Sequence, residues 1–115
     1  MSFQNDAPII QKVYDFYREF YLAVEKMPKK DKYTLGEKVQ KTTLDLLELL
    51  IAASYCQKSE KAGILNKASV KLDLLKILIR LANNIQAIQM KKYILLEEKL
   101  QEIGKMLGGW IRSLK

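Results

Sequence analysis

A chain of 115 residues that is 49% hydrophobic and 29% charged is long enough to bury about two-thirds of its unfolded surface in a single domain spanning the whole chain, which excludes a disordered polymer. It has no histidine, the commonest general base and metal ligand, and its one cysteine, Cys56, forbids an internal disulfide. The net charge of +7 is uneven, with eight Lys or Arg against eight Asp or Glu in residues 1–57 and twelve against five in residues 58–115, an asymmetry that points to an acidic partner, nucleic acid foremost, or else to solubility alone.

Asn5 or Asp6 can cap a first helix, and Pro8 falls in its first turn, where a missing N–H costs nothing. Ile9, Val13, Phe16, Phe20, Val24 and Met27 recur at intervals of three and four, which predicts one amphipathic helix over residues 7–26. Its rings, Tyr14, Phe16, Tyr17, Phe20 and Tyr21, read as packing groups rather than a base-stacking platform, since most share the apolar side. Residues 27–33, MPKKDKY, break the pattern: Pro28 disfavours helix at Met27, and three lysines around Asp31 favour water. Thr34 and Glu37 have capping-box spacing, so the second helix is expected to start at Leu35 and to run through Val39, Thr42, Leu46, Leu49, Leu50, Ala53 and Cys56. Cys56 in that apolar series reads as an inert packed thiol.

Ser59 is the candidate cap of a third helix over residues 60–87, which is apolar on more of its circumference than one seam requires. At about 100° per residue, Ala68, Leu72, Leu75, Ile79 and Ala82 make one stripe. Leu74, Leu78, Leu81 and Ile85 make a second, too apolar to stay bare on a monomer, and so a candidate oligomer interface. Ser69, Asp73, Lys76, Arg80, Asn83, Asn84 and Ala87 fall on the remaining polar strip. A connection is expected over residues 88–91, and a fourth helix over residues 92–114 carries Tyr93, Leu96, Leu100, Ile103, Leu107, Trp110 and Leu114 as an unbroken seam. Four long helices joined by short turns give an all-α, antiparallel up-down-up-down four-helix bundle.

The chain reads as a non-enzyme without cofactor or metal. The Asp45–Glu48 and Glu98–Glu102 pairs lie beside lysines and suit solvated faces. No uncharged run reaches the roughly 20 residues of a membrane span, and no apolar leader opens the chain, so the expected location is cytoplasmic. Gly104, Gly108 and Gly109 each cost a helix about 1 kcal/mol relative to alanine. Tight helix crossing within or between subunits, fraying of the last turns and backbone approach by a ligand are the three readings of that cost, and the first makes Gly104 and Gly108 interface candidates. Lys105 and Arg112, seven apart, share a face.

The turn PKKDKYTLGEK (28–38), the core KLDLLKILIRLA (71–82) and the ending LQEIGKMLGGWIRSLK (100–115) resemble the accessory variability determinant (Avd) proteins of diversity-generating retroelements. Four-helix proteins encoded in ribosomal RNA intervening sequences are similar, and the turn discriminates poorly between the two. The Avd resemblance implies a basic homopentameric barrel that binds the element's reverse transcriptase and RNA or DNA, without catalysis of its own, in support of mutagenic cDNA synthesis. By position it implies basic site residues at Arg80 and Arg112; Lys71, Lys76 and Lys105 join them by helical facing. The chain ends at Lys115 without the longer basic tail of some relatives. A structural oligomerisation module, or an intervening-sequence protein with no retroelement role, is the alternative.

Overall fold

The computed structural model describes residues 8–115, and the cap candidates Asn5 and Asp6 lie outside the described residues. Helix α1 spans Pro8–Val24. Helix α2 occupies residues 29–55, built from an α-helical turn at Lys29–Asp31, a π-helical turn at Lys32–Gly36 and a long α-helical part at Glu37–Tyr55 that follow one another without a break. Helix α3 spans Lys58–Asn84 and α4 spans Met90–Ser113. No strand occurs among the described residues.

Each helix packs on its neighbours in the chain, and α1 closes the ring against α4. Cross-helix contacts fix the antiparallel order. Lys12 pairs with Glu102 at 3.0 Å and Lys92 with Glu19 at 2.9 Å, so α1 and α4 run in opposite directions. Between α2 and α3, Lys71 reaches Asp45 at 3.4 Å and Lys61 Nζ donates to the Ala53 carbonyl at 2.6 Å, again with numbers rising on one helix and falling on the other. The interior holds Phe16 and Phe20 of α1, Leu46 and Leu50 of α2, Leu65, Leu75 and Ile79 of α3, and Leu96, Leu100, Ile103 and Leu107 of α4, all essentially without solvent contact. These are the positions that the three-four periodicity selects. Truncating one of the leucines to alanine costs about 2–5 kcal/mol.

The helix starts differ from those read in the sequence. Pro28 bars helix from the residue before it, not from the residue after it, and with φ −54° and ψ 143° it stands as the N-cap of a helix that resumes at Lys29. Thr34 is therefore not a cap. Its hydroxyl donates to the Lys30 carbonyl at 2.7 Å inside the helix, the other habitual partner of a threonine hydroxyl. The π turn absorbs an extra residue there, and buried Gly36 faces Val24 and Met27 at the α1–α2 crossing. Ser59 likewise sits within the first turn of α3, whose N-cap is Gln57, and α4 starts at Met90 behind Gln89.

Helix α3 stops at Asn84, three residues earlier than expected, in a Schellman turn. The Gln86 N–H bonds the Asn83 carbonyl and the Ala87 N–H bonds the Ala82 carbonyl, at 3.1 and 2.8 Å. That geometry needs a left-handed residue, which is Gln86 at φ 60°. The turn swings Ala87 into the core, so it leaves the polar strip on which helical spacing placed it, and Ile85 becomes the C-cap.

Candidate functional site

Both apolar stripes of α3 exist, and they differ in what covers them. Ala68, Leu72, Leu75, Ile79 and Ala82 are buried in the bundle. Leu74 and Leu78 are half-buried, while Leu81 keeps 44% and Ile85 48% of its surface exposed. Val70 and Ile77 lie on the same outer face with 67% and 58% exposed, so the bare apolar stripe is longer than the sequence spacing alone suggested. A second apolar surface lies elsewhere on the molecule. On α1 the flank opposite the Lys12 and Glu19 ion pairs carries Tyr14, Tyr17 and Tyr21, with the rings of Tyr17 and Tyr21 stacked at a centroid distance of 6.4 Å. Tyr14 and Tyr21 are exposed, as are Leu44 and Ile51 on α2. Only the two phenylalanines of the α1 ring series enter the core.

The five basic candidates separate into two groups. Lys71 leans from α3 towards α2, where Asp45 holds it at 3.4 Å while also meeting Lys41 at 3.7 Å. Lys76 leans the opposite way, onto α4: a Cβ added at Gly104 would stand 3.3 Å from its Nζ and 3.8 Å from its Cε. Arg80 is exposed one turn further along the Lys76 flank. On α4, Lys105 and Arg112 are exposed, and the Arg112 guanidinium folds back along its own helix, 3.2 Å from where a Gly108 Cβ would be and 3.9 Å from where a Gly109 Cβ would be. Among the described residues no carboxylate pairs with Lys76, Arg80, Lys105 or Arg112 within 4.0 Å.

The glycines and two of the cations, Lys76 and Arg112, are thus one feature. The atoms nearest the missing Cβ of Gly104 belong to the side chains of Lys76 and Leu72, and those nearest the missing Cβ of Gly108 belong to Arg112. Within the chain, neither glycine marks a backbone-to-backbone helix crossing. Each instead leaves room for a cation to lie low against α4. Sequence spacing contained the signal, since Gly108 and Arg112 are four apart on one helix face, but the pairing of Lys76 with Gly104 needs the register of α3 on α4.

The remaining candidates are structural. Trp110 is half-buried and packs on the core. Cys56 ends α2 half-buried, its Sγ 3.7 Å from the Ala53 carbonyl. Among the described residues no cluster of acidic and thiol groups could hold a metal, and no helix is long and apolar enough to cross a membrane.

Compared with known proteins, residues 8–114 match the family model described as bAvd-like. No curated protein matches the chain.

Proposed function

The chain belongs to the bAvd-like family, and on that premise we propose that it is a non-catalytic accessory protein of a diversity-generating retroelement, which binds the element's reverse transcriptase and template RNA through a basic surface in the cytoplasm. The observation that carries this reading is that Lys76 and Arg80 on α3 and Lys105 and Arg112 on α4 have no carboxylate partner among the described residues, two of them seated over glycines; together they make the proposed cationic strip. A surface that needed charge only for solubility gains nothing from aligning like charges four residues apart, which repel one another. Phosphate contacts of this kind fix position and carry little base specificity.

The proposed active form is a ring. The α3 stripe and the tyrosine-bearing face of α1 and α2 are different surfaces, and a contact between unlike surfaces propagates head to tail until the rotation closes. Five subunits is the number the Avd resemblance implies. The apolar stripe alone also favours a purely structural oligomerisation module, so the decisive experiment is RNA binding. Replacing Arg80 and Arg112 by alanine is expected to leave helicity and particle size intact, to lower affinity for unrelated RNAs about equally and to flatten the dependence of log affinity on log salt. Binding unchanged in the double variant removes these arginines from the site, and no RNA binding by the wild-type protein leaves the structural reading.

A further inference from the structure

The turn between α1 and α2 and the turn between α3 and α4 meet at one end of the bundle around a cleft of about 1060 Å³, at the upper limit of small-ligand sites, which hold about 300–1,000 Å³. Its lining includes the apolar side chains of Leu22, Pro28 and Met90, all exposed. It is also amide-rich, with Asn83, Asn84, Gln86 and Gln89. Carboxamides offer a donor and an acceptor side by side, the pattern that reads the edge of an unpaired base, and apolar walls suit its faces.

Charge around the cleft selects among ligands. Lys26 lines it, Lys29, Lys30 and Lys91 are exposed on the adjoining helix starts, and the lining Lys92 is already paired with Glu19 at 2.9 Å. Glu25 also lines the cleft and Asp31 lies in the adjoining turn, so Lys26, Lys29, Lys30 and Lys91, none of them in an ion pair among the described residues, outnumber the acids at this end. Gln86 adds an independent sign. It holds the left-handed position of the Schellman turn at φ 60°, where glycine is unstrained and a long side chain costs energy. A strained residue in a cleft points to a use for its side chain. Arg80 stands one turn before Asn84 on the same flank of α3, so the cleft continues the cationic strip.

We propose that this end cleft receives an unpaired nucleotide of single-stranded RNA, with the base against the apolar side chains of the lining, its edge read by the carboxamides of Asn84 and Gln86, and the flanking phosphates on Lys26, Lys29, Lys30 and Lys91. The inference rests on the RNA-binding reading and deepens it: the strip holds backbone of any kind, and the cleft discriminates single strands from duplex, whose base edges are already paired.

The test compares the full chain with the double variant Asn84→Ala/Gln86→Gly, by fluorescence anisotropy with a labelled 12-nucleotide single strand and a 12-base-pair duplex RNA. Glycine at 86 relieves the left-handed strain, so the variant should melt no lower than the wild type and remain fully helical. The expected result is a loss of about tenfold in single-strand affinity, the loss typical of a lost base contact, with duplex affinity within about twofold. Equal single-strand affinity in variant and wild type overturns the cleft while leaving the strip in place, and so does displacement of the single strand by polyglutamate of equal charge in wild type and variant alike. A wild-type protein that binds neither RNA overturns both readings together.

Discussion

A methyl group at position 108 would meet the Arg112 guanidinium at 3.2 Å and nothing else within 4 Å beyond its own helix and chain neighbours. A guanidinium on a flexible stem moves aside at little cost, so Gly108→Ala should keep most of the roughly 1 kcal/mol of helix propensity that glycine forgoes. The melting temperature should rise by up to about 4 °C, read by circular dichroism at fixed protein concentration. Gly63 is the control, because its Cβ would point into open space; Gly63→Ala should stabilise as much and leave binding untouched. If the glycine exists to seat Arg112, Gly108→Ala binds RNA more weakly at unchanged particle size. If it exists for close approach by another subunit, the particles shrink, and Gly108→Leu shrinks them further. A fall in melting temperature at unchanged particle size would contradict both assignments.

At the scale of helices, period carried nearly all the information. The buried faces of all four follow the three-four spacing, because burial is decided by which residues share a side, and that depends only on the pitch of the helix. Boundaries were less legible, for a different reason at each end. Thr34 with Glu37 is a capping box in sequence, yet a threonine hydroxyl bonds equally well to the carbonyl four residues back, as it does to Lys30. The end of α3 depends on Gln86 adopting φ 60°, which its residue type does not advertise, whereas Asn83 and Asn84 shortly before it are the better left-handed formers. The stripe on α3 permits a direct test. Leu78 packs partly on the core, so Leu78→Glu mixes core damage with interface loss. Ile77, 58% exposed, is the cleaner site: Ile77→Glu should keep the helicity of the protomer and yield smaller particles by light scattering. A wild-type protein that sediments as a monomer at micromolar concentration would remove the ring.

For the molecule as a whole, the count of charges along the chain located the positive excess in the second half, but the fold redistributes it. Lys26, Lys29 and Lys30 from the balanced first half lie at the same end of the bundle as Lys91, and Lys71 is drawn to Asp45 on a different flank. No linear reading yields that, because it depends on which turns share an end and on which side of α3 each neighbour lies. If the protomers form a ring, the strip of one subunit continues on the next, and an RNA long enough to span two strips releases counterions from both. The slope of log affinity against log salt, about 0.7 per phosphate contact for single strands, should then be steeper for a strand that spans neighbouring protomers than for one that covers a single strip. Ile77→Glu keeps every cation while separating the subunits, so in that variant the slope for the long strand should fall to the value for the short one, and affinity for the long strand should fall with the lost multivalency. Arg80→Ala/Arg112→Ala should lower both slopes without changing particle size. A slope that is the same for long and short strands in the assembled protein would confine each RNA to one protomer, and the ring would then contribute nothing to RNA binding.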